Sequence, residues 1–291
     1  MKVCGFSFIK NAVKYDYPIR EAIMSVLPLC DHFIIALGDS EDTTEDLIKD
    51  LDPKIEIIHT IWDSQLRSGG RVLAEETNKA FGAIPSEYDW AIYIQGDEAM
   101  HEEDFDQIRA AMELYLHHPV VDGFLFDYQH FYGSFDYVAT SPKWYRKEVR
   151  IIRNDKNIFS YRDAQGFRKI PNKKLQVIPL KARVFHYGWV RPPHIMRNKI
   201  NDFHKLWHEH EELEKRLIPT EAFDYSEVSS LEKFKGSHPK VMSERILASN
   251  WTFTNDLQRK KTNIAELIRL WIEQKTGWLP GSYKNYRIIK I

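Results

Sequence analysis

Four short apolar runs, Val3 to Ile9, His32 to Leu37, Ile55 to Trp62 and Trp90 to Ile94, alternate with segments whose apolar residues recur at helical spacing. After the first run, Ile19, Ala22, Ile23, Val26 and Leu27 share one helix face, with Asp16 placed to cap it, Pro18 suited to its first turn and Pro28 limiting it. After the second, Asp42 and Glu45 have capping-box spacing ahead of a helix reaching about Leu51. After the third, Leu73, Ala80, Phe81 and Ile84 mark another. A crossover helix returns the chain parallel to its previous strand. The pattern therefore predicts an α/β fold, a mixed but mostly parallel sheet with helices on both faces. It also gathers the carboxyl ends of these strands at one edge, where ligands sit in open sheets of this kind.

Three loops at that edge are polar: Lys10-Asn11, Asp39 through Asp42, and Gln95-Gly96-Asp97-Glu98. In the last, an apolar strand runs directly into two carboxylates, which supply hard oxygen ligands for a divalent cation or, more simply, form the polar turn before a helix. Asp42 suits a helix cap, whereas Asp39 lies earlier and is freer to accept hydrogen bonds from a base or ribose.

Beyond Glu98, a helix is expected from about Glu102 to Leu116, with Phe105, Ile108, Met112 and Tyr115 on one face. From Val121 the texture changes. Phe124, Phe126 and Tyr128 alternate with polar residues, and Glu148 to Arg153 and Gln176 to His186 read as further strands. His194 to Leu217 is a charged helix with an apolar stripe at Ile200, Phe203, Leu206 and Trp207. Its His204, His208 and His210 include a metal-compatible spacing of four, but neighbouring Glu and Lys make this a solvated face. Ile264 to Ile272 forms a last helix, and Gly277 to Gly281 turns into an aromatic, basic tail. That tail can pack on the domain, meet a partner subunit or rest on a membrane surface; its few cationic residues favour packing.

Charge excludes some partners. With 41 basic and 42 acidic residues, no global field draws in nucleic acid, so an anionic ligand must be met locally. Two cysteines make no disulfide framework and fit a reducing compartment. The start lacks a signal-peptide run, and no apolar stretch approaches the ~20 residues of a spanning helix, so a soluble, cytoplasmic protein is expected. The aromatic content, 13%, is first of all core material, though flat faces also stack on sugar and base rings.

From Val3 to Met100 the order of elements and motifs resembles the family-two type of glycosyltransferases with the GT-A fold. Gly38-Asp39-Ser40-Glu41-Asp42-Thr43 stands where that family has an Asp-Ser-Asp-Thr-like turn, and Gln95-Gly96-Asp97-Glu98 where it has an Asp-x-Asp-type metal motif. The resemblance implies that Asp39 contacts the nucleobase and that Arg71 and Asn78 lie on the helix facing the nucleotide, with Asn11 and Gln95 beside them. It makes Asp97 the ligand of a divalent metal, Mn2+ or Mg2+; Gln95 replaces the motif's first carboxylate, leaving Glu98 as the second candidate ligand.

Downstream, Arg150-Ile151-Ile152-Arg153, Tyr161-Arg162-Asp163-Ala164-Gln165 and His186-Tyr187-Gly188-Trp189-Val190-Arg191-Pro192 are similar, in this order, to bacterial transferases that extend lipopolysaccharide cores. Asp163 then stands as candidate general base, although those relatives usually have His-Glu where this chain has Arg162-Asp163. The last stretch also resembles the His-x-x-Gly-x-x-Lys-Pro type of motif in retaining sugar transferases, which implies His186 as a metal ligand and Arg191 as a diphosphate clamp. The plainer readings are a backbone-bonded His186, an Arg191 that pins the loop before Pro192-Pro193, and an Asp163 paired with Arg162 or Arg168.

These resemblances imply a GT-A catalytic domain over 1–193, with a nucleotide-binding half (1–100) and an acceptor half (101–193), followed by a helical extension over 194–291. The implied enzyme is a metal-dependent glycosyltransferase of bacterial cell-surface glycan biosynthesis, taking a nucleotide-diphosphate sugar as donor and a glycan or lipid-linked acceptor. Peripheral association with the inner face of the membrane belongs to the same expectation. Inversion and retention both stay open, as does the oligomeric state. The alternatives are a sugar nucleotidyltransferase, whose triphosphate loop is usually glycine-rich while Lys10-Asn11-Ala12-Val13-Lys14 has no glycine, and a non-catalytic nucleotide- or sugar-binding protein of the same fold.

Overall fold

A computed structural model describes residues 1–63, 65–66, 69–207, 217–226, 228, 230–253 and 264–291. Its first half runs β1 (Val3–Ile9), α1 (Ile19–Val26), β2 (His32–Gly38), α2 (Thr44–Ile48), β3 (Ile55–Thr60), α3 (Arg71–Ala83) and β4 (Trp90–Tyr93). The strands lie in the order β3-β2-β1-β4 and every pairing is parallel, as the alternation requires. Successive side chains divide between two cores. Phe33, Ile35, Trp90 and Ile92 pack with Ile23 and Val26 of α1 on one face, while Phe6, Ile34, Ala91 and Tyr93 pack with Ala80 and Phe81 of α3 on the other. Each fully buried large side chain contributes about 1.5–3 kcal/mol, so the period-two pattern fixes which face meets which helix.

The helix starts differ from expectation. Asp16 does not cap α1; it adopts a positive φ and pairs with Arg245, and the cap position is Pro18. Asp42 accepts the Thr44 N–H at 3.0 Å from one position ahead of the N-cap residue Thr43, and Glu45 reaches His59 rather than closing a capping box.

The second half comprises β5 (Glu98–Met100), α4 (Phe105–Leu114), β6 (Gly123–Tyr132), β7 (Ser134–Ala139), β8 (Lys147–Arg153), β9 (Ile158–Tyr161), β10 (Gly166–Lys169) and β11 (Lys173–Trp189). β8 inserts antiparallel between β4 and β6, and β11 runs parallel to β6, so the sheet continues β4-β8-β6-β11. The register of β6 and β11 shifts between Pro179 and Arg183, where proline offers no N–H to the ladder. The strands β5, β7, β9 and β10 were not expected from the sequence, because runs of three to six residues carry too little periodicity.

The segment expected to be a helical extension does contain α5 (Pro193–Trp207), α6 (Ser243–Leu247) and α7 (Ile264–Thr276). It also returns two strands to the sheet: β12 (Leu231–Lys233) pairs antiparallel with β7, and β13 (Tyr286–Ile288) pairs parallel with β11. The tail thus packs on the sheet, with Asn285 and Tyr286 buried. His208 and His210 lie outside the described residues.

Candidate active site

Asp97 follows β4 at the carboxyl edge of the parallel strands. β5 then pairs antiparallel with β11, aligning Glu98 with His186, and the Tyr187 N–H donates to the Asp97 carbonyl at 2.7 Å. This pairing brings together motifs about ninety residues apart in the chain. Gly188 permits it, since a Cβ there would lie 2.5 Å from the His186 ring and 3.0 Å from Asp97 Oδ2.

The Asp97 carboxylate is nearly buried among cations. Lys199 of α5 donates to Oδ2 at 3.3 Å and to the Gly188 carbonyl at 3.0 Å. Arg191 is fully buried: its Nε donates to the Tyr15 carbonyl, Nη1 to the Gly188 carbonyl, and Nη2 lies 3.8 Å from Asp97 Oδ2 with no hydrogen-bond partner among the described residues. Both cations stand over the Tyr17 ring. Burial opposes ionisation of Asp97, yet Lys199, His186 and Arg191 outweigh it and hold the carboxyl well below the usual carboxylate range. Burial, then Arg191, pushes the Lys199 ammonium down to about 7 against the pull of Asp97.

His186 Nε2 lies 3.9 Å from Asp97 Oδ1, and its other nitrogen shows which proton it carries. His130 on β6 places Nε2 2.9 Å from the Tyr145 carbonyl and Nδ1 3.1 Å from His186 Nδ1. Burial, then His186, keeps the His130 pKa well below the ordinary value, so that ring is neutral. A carbonyl only accepts, so His130 Nε2 carries the proton and its Nδ1 accepts from His186 Nδ1–H. Burial, opposed by Asp97, lowers the His186 pKa below its ordinary value, and the neutral ring is left with a bare lone pair on Nε2, facing Asp97. This is the tautomer a metal ligand needs, oriented by an outer hydrogen bond. Sequence reading missed both His130 and Lys199. A histidine within an apolar strand and a lysine on an amphipathic helix read as ordinary; only the β6-β11 register and the seating of α5 reveal them.

Glu98, expected as the second metal ligand, is taken up in a closed pair. Arg150 Nε and Nη2 donate to its two oxygens at 2.9 Å each, Tyr128 donates at 2.7 Å, the Gln95 N–H donates at 3.1 Å, and both partners of the ion pair are fully buried. No lone pair is left free for a cation, because these four hydrogen bonds already occupy both carboxylate oxygens. Among the described residues, no group of three His, Cys, Asp or Glu side chains is placed to hold a metal.

The remaining residues divide between crevice and scaffold. Asp39 pairs with Lys10 at 2.7 Å; burial raises its pKa, but the Lys10 hydrogen bond overcomes this and holds it below the ordinary value. The Lys10 ammonium stands 5.8 Å from the Trp62 ring, whose buried Nε1 has no partner among the described residues. An acid, a cation and an indole thus meet beyond β1, β2 and β3. Asn11 is buried with a positive φ and spends its side-chain oxygen on the Glu41 N–H at 2.8 Å, which joins two loops. Asn78 is committed to β9, donating to the Ser160 carbonyl at 3.0 Å and accepting the Ser160 N–H at 2.7 Å. Arg71 opens α3 in an exposed position. Gln95 donates to the Ala164 carbonyl at 3.1 Å and to the Tyr93 hydroxyl at 3.2 Å. That bond draws the Arg162-Asp163-Ala164 turn, with positive φ at Arg162 and Ala164, toward the end of β4 and leaves Asp163 half-buried there.

Beside that turn, Glu148 accepts from Gln165 at 2.7 Å while its second oxygen is buried without a partner among the described residues. Burial pushes its carboxyl up to about 7 from 4.5, Arg150 opposing. The folded chain holds this proton more tightly than the unfolded one, so stability is fully present below pH 4.5 and falls as pH rises through 7. Glu148→Gln is expected to stabilise the protein by about 1–3 kcal/mol above neutrality and hardly at all in acid, as urea unfolding at the two pH values will show.

A cavity of about 430 Å3 adjoins the carboxyl ends of β6 and β11, lined by Tyr132, Trp144, Trp189 and Phe223 with Thr220 and Asp224 at its polar side. Trp144 packs on His130 with ring centroids 5.0 Å apart, so this aromatic wall backs onto the His130-His186 pair.

No family model and no curated protein matches the chain. Solved structures do. S. aureus TarS 1-349 in complex with UDP-GlcNAc is 14% identical, with a TM-score of 0.41 over 75% of this chain and 70% of that one. Glucosyl-3-phosphoglycerate synthase from Mycobacterium tuberculosis, in complex with Mn2+, UDP and phosphoglyceric acid, is 17% identical with a TM-score of 0.30 over 45% and 43% of the two chains. 4-Diphosphocytidyl-2C-methyl-D-erythritol synthase from Anaerococcus prevotii is 12% identical, with a TM-score of 0.33 over 53% and 70%.

Proposed function

We propose that the chain is a metal-assisted glycosyltransferase that moves a sugar from a nucleotide-diphosphate donor to a hydroxyl of a glycan or lipid-linked acceptor in cell-surface glycan synthesis. The observation that carries this reading is the bare Nε2 lone pair of His186 opposed to Asp97 Oδ1 across 3.9 Å, with Lys199 and Arg191 behind.

Two electron-pair donors that face one another without a proton between them fit a shared cation. A hard oxygen with an imidazole suits Mn2+, and diphosphate oxygens would complete the shell that only two protein ligands begin. Bound there, the ion would neutralise charge developing on the leaving diphosphate. The unpartnered Arg191 Nη2 supports an anionic ligand, since a buried guanidinium nitrogen without an acceptor is costly. Lys199, charged below its pKa of about 7, adds a second positive group that the fold already holds in place. At the far end Asp39 and Trp62 supply an acceptor and a flat face for a base. In an inverting transfer Asp163 takes the acceptor hydroxyl proton as the new C1–O bond forms and the C1–phosphate oxygen bond breaks. The aromatic cavity beside His130 suits the acceptor ring.

Calorimetry with uridine and guanosine diphosphates, with and without Mn2+, tests the metal role. Binding strengthened by Mn2+ in the native chain and insensitive to it in His186→Ala is the expected result; binding indifferent to both ion and substitution defeats it. Screening nucleotide sugars for slow hydrolysis separates a transferase from a binding protein. Once an acceptor is in hand, Phe223→Ala is expected to raise its KM about tenfold without changing donor affinity.

A further inference from the structure

The last helix, α7, is docked inside out. An amphipathic helix on a globular domain ordinarily buries its apolar stripe and shows its charges to water. Here the buried side is charged: Glu273 accepts from Arg146 at 2.8 and 3.0 Å, Glu266 is buried beside Lys143, and Arg269 donates to the Pro280 carbonyl at 2.9 Å. The apolar stripe faces outward, with Ile264 76%, Leu267 49%, Ile268 54% and Trp271 61% exposed. These positions follow the spacing i, i+3, i+4, i+7 and form one continuous ridge. Trp278, 53% exposed, stands just past the helix end. Leaving this surface in water forfeits burial that the same residues would otherwise supply.

Charge says what covers it. In a chain whose charges nearly cancel, Arg259 to Ile291 holds eight Lys and Arg against two Glu, and both of those Glu face inward on α7. Arg259, Lys260 and Lys261 precede the helix in sequence, and the exposed Lys275 closes its last turn. A second copy laid against this ridge would oppose one cationic segment with another, whereas an anionic lipid surface complements it. Thirteen residues are too few to cross a bilayer, and no helix among the described residues is long and apolar enough to do so. We infer that α7 is an interfacial anchor: its Ile264-Leu267-Ile268-Trp271 ridge inserts into the headgroup boundary of an anionic membrane while its charged side holds the α/β domain. This does not depend on the chemistry at Asp97.

The test is flotation of the full chain with phosphatidylcholine vesicles, with and without phosphatidylglycerol, which needs neither donor nor turnover. Binding is expected with phosphatidylglycerol, weakening as salt is raised, with a blue shift of tryptophan emission. The double variant Ile268→Glu, Trp271→Glu should lower that binding at least about tenfold with the thermal midpoint unchanged, since both side chains are exposed. No flotation with anionic vesicles, or equal flotation of the double variant, would overturn the inference. So would sedimentation velocity showing a dimer that the double variant dissociates while vesicles bind nothing; that result assigns the ridge to a second copy.

Discussion

Asp97→Asn is expected to lower kcat by about 10^2–10^3-fold and to abolish the effect of Mn2+ on diphosphate binding. The substitution keeps the shape of the side chain and the Tyr187 N–H bond to the Asp97 carbonyl, so the β5-β11 pairing should persist. What it removes is the negative charge that faces Lys199, Arg191 and His186. Lys199 would then lose its only counter-charge in that group, and its pKa, already pushed down to about 7, would fall further. Single-turnover kinetics beside a thermal melt distinguish this from unfolding. A variant that keeps its melting profile and turns over within about threefold of the native rate would remove Asp97 from the chemistry.

Arg150→Ala is expected to cost about 3–5 kcal/mol of stability, because it strands the Glu98 carboxylate in the interior. Glu98→Ala should cost a similar amount, since it strands a guanidinium fully buried between the Tyr93 and Tyr128 rings. Urea unfolding reads both. The pair also decides how Glu98 is understood: as a metal ligand, its loss would weaken cation binding with little change in stability, whereas as the partner of Arg150 its loss appears in the unfolding midpoint. The hydrogen bonds already made to both carboxylate oxygens favour the second outcome.

Local pattern carried much of the fold. β1 to β4 and their helices follow from runs of apolar residues at periods of two and 3.6, which depend only on near neighbours in the chain. The same reasoning found β6, β8, β11, α5 and α7. It failed for β5, β7, β9 and β10, which are too short to show a period; β5 and β10 pair with β11, β7 with β6, and β9 with β10. It also failed for Asp16, whose partner Arg245 lies more than two hundred residues away.

For the site, sequence alone determined that carboxylates follow β4 at the edge where parallel strands end, and it singled out Asp97, His186, Arg191 and Asp163 as residues to watch. Adjacency in sequence made Asp97 and Glu98 look like a pair. Tertiary structure separated them: Asp97, in the turn after β4, meets Lys199 and His186, while Glu98, the first residue of β5, closes on the buried Arg150. Likewise only the pairing of β6 with β11 sets His130 against His186 and so leaves the Nε2 lone pair bare. Only the docking of α7 by its charged side shows that its apolar stripe faces outward. Periodicity shows that a helix has two faces; which one is buried depends on the surface it meets.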